Sequence, residues 1–165
     1  MNFTCCDICD ANEDKLQNGQ LNIFPPIFQS YGQVKKFAGP AKTLKLFEEN
    51  LQLRAALESP GLGRVLVVDG GASLRCGIMG GNLGQLAEQN GWVGVIIHGC
   101  IRDVDEINTC KIGVRALATH PRKSARRATG QEDIAINIAG INISPGDWIY
   151  ADADGVLVAS SPLHN

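Results

Sequence analysis

The residues with the clearest chemical potential are Arg102 and Asp103, which directly follow the apolar run over 93–101. An arginine offers a planar donor fork to a carboxylate or enolate oxygen, and a neighbouring carboxylate can hold a hard cation such as Mg²⁺ or Mn²⁺. A cation chelated by a 2-oxo acid acts as a Lewis acid and stabilises the enolate formed when the adjacent carbon–carbon bond breaks. The pair therefore predicts a catalytic Arg102 and a catalytic, metal-binding Asp103.

This hypothesis depends on the local structure of the pair. Consecutive residues of a regular helix do not face one another, so Arg102 and Asp103 must lie in the turn before the helix that Val104 and Ile107 suggest. The simpler alternative is that Asp103 caps that helix and Arg102 is a surface charge. The sequence leaves both interpretations open.

A second candidate is the glycine turn at Gly80, Gly81, Asn82 and Leu83, which opens a predicted helix reaching position 90. The first amides of a helix have no intrahelical acceptor and carry a partial positive charge. Glycine there keeps side chains out of the way of an anion. We therefore predict that these four residues bind the carboxylate of a small 2-oxo acid; the alternative is a tight turn required only by packing.

The elements that must position these residues are two buried strands. One is the apolar run 65–68, which is expected to end at Asp69-Gly70-Gly71, and the other is the run over 93–101. In open α/β sheets, ligands bind beyond the carboxyl ends of parallel strands. If the two strands are neighbours, their ends form one pocket. A further strand is predicted over 112–118, a half-buried strand over 43–47 and a surface helix over 48–57.

The remaining segments predict a mixed α/β domain with strands in more than one layer. A short amphipathic helix is expected over 6–16, and breaks are expected at 25–26 and 37–41. From 134 to 159, residues alternate in steps of two between turn signals, which indicates antiparallel hairpins. The length of 165 residues suits one domain over 1–165.

Composition excludes several classes of protein. No apolar run approaches the roughly 18 residues of a membrane span, so no membrane partner is expected. The N-terminus lacks the features of a secretory signal, which predicts a cytoplasmic protein whose six cysteines are reduced thiols. The basic run over 122–127 has no interleaved aromatic residues. A solvated loop is therefore favoured there over a nucleic-acid patch, and direct nucleic-acid binding is not expected.

Four further sets of residues leave alternatives open. Cys6 and Cys9 have the spacing of redox or zinc sites, but no second pair accompanies them. His98 lies in an apolar run, where a satisfied core residue is the simpler interpretation and a metal ligand the alternative. Asp69 is either a turn residue or a supporting carboxylate. Asp105 and Glu106 are expected on an exposed helix turn, from which Asp105 could reach back.

Motifs spread over nearly the whole chain resemble one family. The segment 64–118 is similar to the regulator of ribonuclease E activity A and to the 4-hydroxy-4-methyl-2-oxoglutarate aldolases. The resemblance rests on the motifs at 68–71, 80–83, 90–92 and 99–106, and the segments 9–12 and 146–152 also fit.

The resemblance implies a swivelling β/β/α domain in a ring-shaped homotrimer with active sites at subunit boundaries. It further implies that the backbone of 80–83 holds the pyruvate moiety, that Arg102 contacts substrate and that Asp103 binds the divalent metal. The implied reaction cleaves 4-hydroxy-4-methyl-2-oxoglutarate to two pyruvates. Oxaloacetate decarboxylation accompanies it, because both reactions pass through the same enolate.

One departure from the family bears on activity. The best-characterised aldolases carry an aspartate at the position of Gly81, and the resemblance implies that its loss weakens the outer-shell support of the metal-bound waters. Members that inhibit ribonucleases can lack the acidic residue after the arginine, whereas this chain keeps Asp103. The rival hypothesis is a non-catalytic regulator that binds and inhibits an endoribonuclease.

Overall fold

A computed structural model describes residues 2–164. Its helices are α1 Cys5–Ala11, α2 Glu13–Asn18, α3 Leu51–Glu58, α4 Gly81–Gln89 and α5 Val104–Ile107. Its strands are β1 Leu21–Ile23, β2 Gln29–Tyr31, β3 Phe37–Lys45, β4 Val65–Met79, β5 Gly94–Ile101, β6 Gly113–Thr119, β7 Gln131–Glu132, β8 Ile136–Ile138, β9 Ile141–Ile143, β10 Trp148–Ala151 and β11 Val156–Ala159. The helix predicted over 6–16 is found as α1 and α2, and the one over 48–57 as α3.

The parallel strands β3, β4, β5 and β6 form the centre of one sheet, in that order. Strand β2 pairs antiparallel with the outer edge of β6, and β7 pairs with β3. The apolar runs 65–68 and 95–97 are fully buried, which is typical of parallel strands covered on both faces. The two site-bearing strands β4 and β5 are neighbours, which meets the condition that the sequence left open.

Strand β3 joins this sheet to an antiparallel sheet of β1, β11, β10 and β3 itself. Its residues 37–40 pair with β10, and its residues 41–45 pair with β4. Pro40 lies opposite Trp148 at the last of the β10 pairs, where a missing N–H interrupts little of the ladder. The expected break at 37–41 is therefore wrong, because this segment is the part of a strand that changes partner.

Strand β4 continues well beyond the end predicted at Asp69. Its pairing with β5 shifts register three times between Asp69 and Met79, and Gly71 and Ala72 have left-handed φ angles of 66° and 57°. Such bulges add residues to one strand without ending the ladder. The prediction that the glycines at 70–71 end the strand is wrong. The bulges bring Met79 opposite Ile101, so β4 and β5 end together.

The core is divided by the parallel sheet into two layers. Leu66 and Val68 of β4 pack with the helices α3, α4 and α5 on one face. Val65 and Val67 pack on the other face with the hairpin β8–β9 and with β10. Alternate residues of one strand thus serve opposite layers. This arrangement confirms the predicted α/β class with layered sheets and helices.

The last third of the chain has the predicted antiparallel pairs. Strand β8 pairs with β9, and β10 with β11. The helix α1 packs against the second of these pairs through Cys5 and Ile8. Within residues 2–164, no helix is long and apolar enough to cross a membrane.

Candidate active site

Arg102 and Asp103 lie in the turn before a helix, which is the location that the catalytic hypothesis requires. Strand β5 ends at Ile101 and α5 begins at Val104, so the pair forms the turn between them. Asp103 has φ 54° and ψ 48°, the left-handed conformation, which costs a non-glycine residue about 1–2 kcal/mol. The chain therefore holds Asp103 in a strained backbone conformation at the edge of the sheet, a location where such strain suggests function.

The carboxylate of Asp103 turns away from the helix that follows it. It accepts no capping hydrogen bond from α5. Instead, its Oδ2 accepts a hydrogen bond of 3.2 Å from the backbone N–H of Gly81, the first residue of α4. Its Oδ1 lies 3.4 Å from Nε of Arg102, a contact without hydrogen-bond geometry that leaves this buried nitrogen without a partner among the described residues. The simple N-cap interpretation does not describe this geometry.

The glycine turn approaches Asp103 closely. A Cβ atom at Gly80 would lie 2.5 Å from Oδ2 of Asp103, so only glycine allows the approach. The N–H of Gly81 is used by Asp103, and the N–H of Leu83 bonds the carbonyl of Gly80 at 3.1 Å. The amides of Gly80 and Asn82 have no acceptor within residues 2–164. Of the four amides predicted to bind an anion, these two are the ones without an acceptor among the described residues.

The side chain of Glu106 lies beside the glycine turn, on the exposed helix turn where the sequence placed it. A Cβ atom at Gly81 would overlap Oε2 of Glu106 and lie 2.6 Å from its Cβ. The Glu106 side chain therefore covers the space that the missing side chain of Gly81 leaves open, one turn of α5 beyond Asp103. Asp105 is exposed, as expected, and its side chain does not reach back: it makes no hydrogen bond or ion pair with the described part of the chain. The sequence feature that could have revealed this contact is Gly81 together with an acidic residue three positions after Asp103.

A cleft of about 280 Å³ opens beside the pair. It is near the lower end of ligand-pocket volumes, about 300–1,000 Å³. The side chains of Arg102 and Asp103 are 33% and 37% exposed, so both reach solvent. The glycine turn contacts Asp103, which lines the cleft, but no residue of the turn lines the cleft itself. The lining residues are Arg102, Asp103, Val104, Thr119, His120 and Pro121.

His98 and Asp69 lie opposite each other on β5 and β4, outside this lining. Oδ1 of Asp69 accepts a hydrogen bond of 2.9 Å from the N–H of Gly71, which is the turn role considered for it. Nδ1 of His98 is 4.0 Å from that oxygen and has no hydrogen-bond partner among the described residues. Burial lowers the pKa of His98. The core location expected for His98 is found, but its side chain is not satisfied.

The donor set suits a hydrated, oxygen-ligated cation better than an enclosed metal. No group of three or more His, Cys, Asp or Glu in residues 2–164 is arranged to hold a metal. Asp103 supplies one carboxylate with spare lone pairs, and Glu106 adds a second negative charge beside the same turn. Mg²⁺ commonly binds through one or two carboxylates, several waters and substrate oxygens. The residues therefore fit Mg²⁺ or the similar Mn²⁺, and they do not form a four-ligand zinc site.

Comparison with known proteins establishes the family of the chain. A model for the RraA-like family, described as Aldolase/RraA, matches residues 5–158. The chain belongs to the RraA-like family. The resemblance seen in its motifs is thereby confirmed, and the match includes every candidate site residue.

Proteins similar to this chain bear three kinds of name. A Burkholderia multivorans protein, named provisionally as a 4-hydroxy-4-methyl-2-oxoglutarate aldolase, is 58% identical over 163 residues, 99% of each chain. The RNA-processing inhibitor RraA from Thermus thermophilus has a TM-score of 0.91 and 39% identity, covering 98% of this chain and 95% of that one. A Geobacillus kaustophilus structure described as an S-adenosylmethionine:2-dimethylmenaquinone methyltransferase has a TM-score of 0.90 and 44% identity, covering 98% and 97%.

Proposed function

We propose that this RraA-like protein is a divalent-metal-dependent lyase. Its substrate is 4-hydroxy-4-methyl-2-oxoglutarate, which it cleaves into two pyruvates, and it decarboxylates oxaloacetate as a secondary activity. The observation that carries the proposal is the orientation of Asp103, whose carboxylate faces Arg102 and the start of α4 and leaves its own helix uncapped. The aldolase names of relatives at 58% identity support the same reaction class.

Each residue of the site has a distinct task in this reaction. The free amides of Gly80 and Asn82 orient the carboxylate of the 2-oxo acid at the positive end of α4. Arg102 stabilises the negative charge that develops on the substrate oxygen as the carbon–carbon bond breaks. Asp103 would hold the cation, with Glu106 adding negative charge. When bound, the cation supplies Lewis-acid chemistry at the 2-oxo group.

The two reactions share their electron flow. In the aldol substrate, the C3–C4 bond breaks and its electron pair forms the pyruvate enolate. The 4-hydroxyl group gives its proton to solvent as the second pyruvate leaves, and solvent supplies the proton that the enolate carbon later takes up. In oxaloacetate the same bond releases carbon dioxide instead. Protonation of the enolate carbon then gives pyruvate in both cases. One charge-stabilising site therefore serves both substrates.

Pyruvate release tests the proposed reaction. We expect the purified protein to release pyruvate from both substrates with Mg²⁺ or Mn²⁺, and EDTA to reduce the rate to background. Re-addition of the metal is expected to restore the rate, which separates metal loss from unfolding. A rate that EDTA leaves unchanged, or no pyruvate from either substrate, contradicts the proposal.

We also infer a homotrimer with active sites at subunit boundaries, as the family resemblance implies. The cleft beside Arg102 and Asp103 is open to solvent in the single chain, and a neighbouring subunit would close it. Closure excludes water and strengthens electrostatic stabilisation inside a site.

A second function is favoured by a different observation. The structure matches an RNA-processing inhibitor with a TM-score of 0.91 at 39% identity, so a regulator that binds an endoribonuclease of the ribonuclease E type is the alternative proposal. Cleavage of a defined RNA by that enzyme, with and without this protein, tests it. Inhibition that persists in an Asp103→Asn variant would establish regulation independent of the lyase site, whereas unchanged cleavage rules the alternative out.

A further inference from the structure

A second cleft lies on the other side of the segment that follows β6. Residues 119–121 line the cleft of the candidate active site, and the residues directly after them line the second one. Its volume is about 330 Å³, enough for a small metabolite. The lining residues are Glu48, Arg75, Cys76, Arg122, Lys123, Ser124, Ala125 and Arg127.

The charge of this cleft is strongly positive. Arg75 is neutralised by Glu48 through two hydrogen bonds of 2.6 and 2.8 Å, and this pairing holds the pKa of Glu48 at about 2. Arg122, Lys123 and Arg127 have no carboxylate within 4.0 Å in the described part of the chain. The carboxylate of Glu48 is therefore paired with Arg75. Three cationic side chains remain without a partner around one cavity.

A buried hydroxyl group in the same wall also lacks a partner. Ser124 is only 5% exposed, and its Oγ makes no hydrogen bond with any described residue. Buried polar atoms nearly always have a partner, so an unpaired one marks a place for a ligand or water. The wall itself is held in place, because the carbonyl of Arg122 accepts from Gly77 at 2.8 Å and the N–H of Ala125 donates to the carbonyl of Glu48 at 2.9 Å.

From these observations we propose that this cleft binds the oxyanion of a small molecule, a phosphate or a carboxylate group. Guanidinium groups match the planar or tetrahedral arrangement of oxygens in such anions, and a lysine adds a compact charge. The Ser124 hydroxyl supplies the neutral donor that several oxyanion sites combine with cations. The basic run is an exposed loop, as the sequence predicted, and three of its basic side chains also line this cleft.

Calorimetric titration with inorganic phosphate and, separately, with succinate tests the proposal on the full chain. We expect saturable binding of at least one probe, and the comparison shows whether the phosphate or the carboxylate is preferred. Arg127→Gln and Ser124→Ala are each expected to weaken binding about tenfold, the effect of one hydrogen bond to a charged group. Arg126→Gln is the matched control, because Arg126 is the neighbouring arginine and does not line the cleft.

One further variant distinguishes binding in this cleft from binding at the candidate active site, and the Arg126 control distinguishes it from unspecific attraction to a basic surface. Arg102→Gln is expected to retain binding, because Arg102 lines only the first cleft; loss of binding in that variant would assign the anion to the candidate active site and overturn the proposal. Equal weakening by Arg126→Gln and Arg127→Gln would indicate unspecific attraction, and absence of binding to both probes would also refute the proposal. Circular dichroism of each variant verifies that the fold is retained.

Discussion

At the scale of single residues, the site depends on the strained backbone of Asp103 and on two glycines, Gly80 and Gly81, that lack side chains. Asp103 adopts a left-handed conformation and directs its carboxylate to the N–H of Gly81. Gly80 permits that approach, and Gly81 leaves space that Glu106 fills. The sequence alone suggested Arg102 and Asp103 as a pair, because their types and order suffice for that. The sequence could not show which of Asp105 and Glu106 lies beside the glycine turn, because that depends on the rotation of a single helical turn.

Gly81→Ala tests whether the space above the glycine is needed. The new Cβ would overlap the carboxylate of Glu106, so α5 or its side chains must move. We expect the rate of pyruvate release to fall by about tenfold, since small misplacements of reacting groups are costly. The matched control is Gly84→Ala in the same helix, whose Cβ would lie 3.2 Å from Sγ of Cys110, away from the site. Equal rates in the two variants would contradict the role assigned to this space.

At the scale of elements, the site exists because β4 and β5 end at the same edge. The apolar runs at 65–68 and 93–101 were sufficient to predict two buried strands and their use as a platform. They did not reveal that β4 continues to Met79, because its bulged continuation lacks a regular alternation and contains glycines that usually mark turns. The break predicted around Pro40 was wrong for a related reason, as the exchange of strand partners at β3 is a long-range feature.

The start of the parallel sheet depends on two glycines that flank the ring of Phe37. A Cβ atom at Gly94 of β5 or at Gly113 of β6 would overlap that ring. We expect Gly113→Ala to lower the free energy of unfolding by about 1–3 kcal/mol, the usual cost of overpacking a core. Urea denaturation measures it. Gly155→Ala is the control, because a Cβ there meets no atom within 4 Å; a similar loss in both variants would contradict the packing argument.

At the scale of the whole molecule, a two-layer core leaves a few large apolar side chains exposed. Phe47 and Leu74 are 51% and 57% exposed. Leu74 directly precedes Arg75 in β4, and the guanidinium of Arg75 lies 5.9 Å from the ring centroid of Phe47. Exposed large apolar side chains can mark an interface. We propose that the surface carrying Phe47 and Leu74 contacts a neighbouring subunit of the proposed trimer, beside the second cleft that Arg75 lines.

Light scattering coupled to size-exclusion chromatography tests the assembly. We expect a mass three times the 17.6 kDa of a single chain. Leu74→Asp is expected to shift the protein towards monomer, because a charge would be desolvated in the contact. Leu62→Asp serves as the control, since Leu62 is 79% exposed and lies outside this surface. A monomeric wild-type protein, or equal behaviour of the two variants, would contradict the assignment.

The most direct measurement for the whole account is the rate of metal-dependent pyruvate release by Asp103→Asn beside Asp105→Asn. The asparagine at 103 keeps an oxygen for the N–H of Gly81 and removes only the negative charge, so the fold is expected to persist. We predict that Asp103→Asn loses about 100-fold or more in rate, of the order found when one charge-stabilising group is removed, while Asp105→Asn stays near wild type. A wild-type rate in Asp103→Asn, with the same response to Mg²⁺, would contradict the central claim.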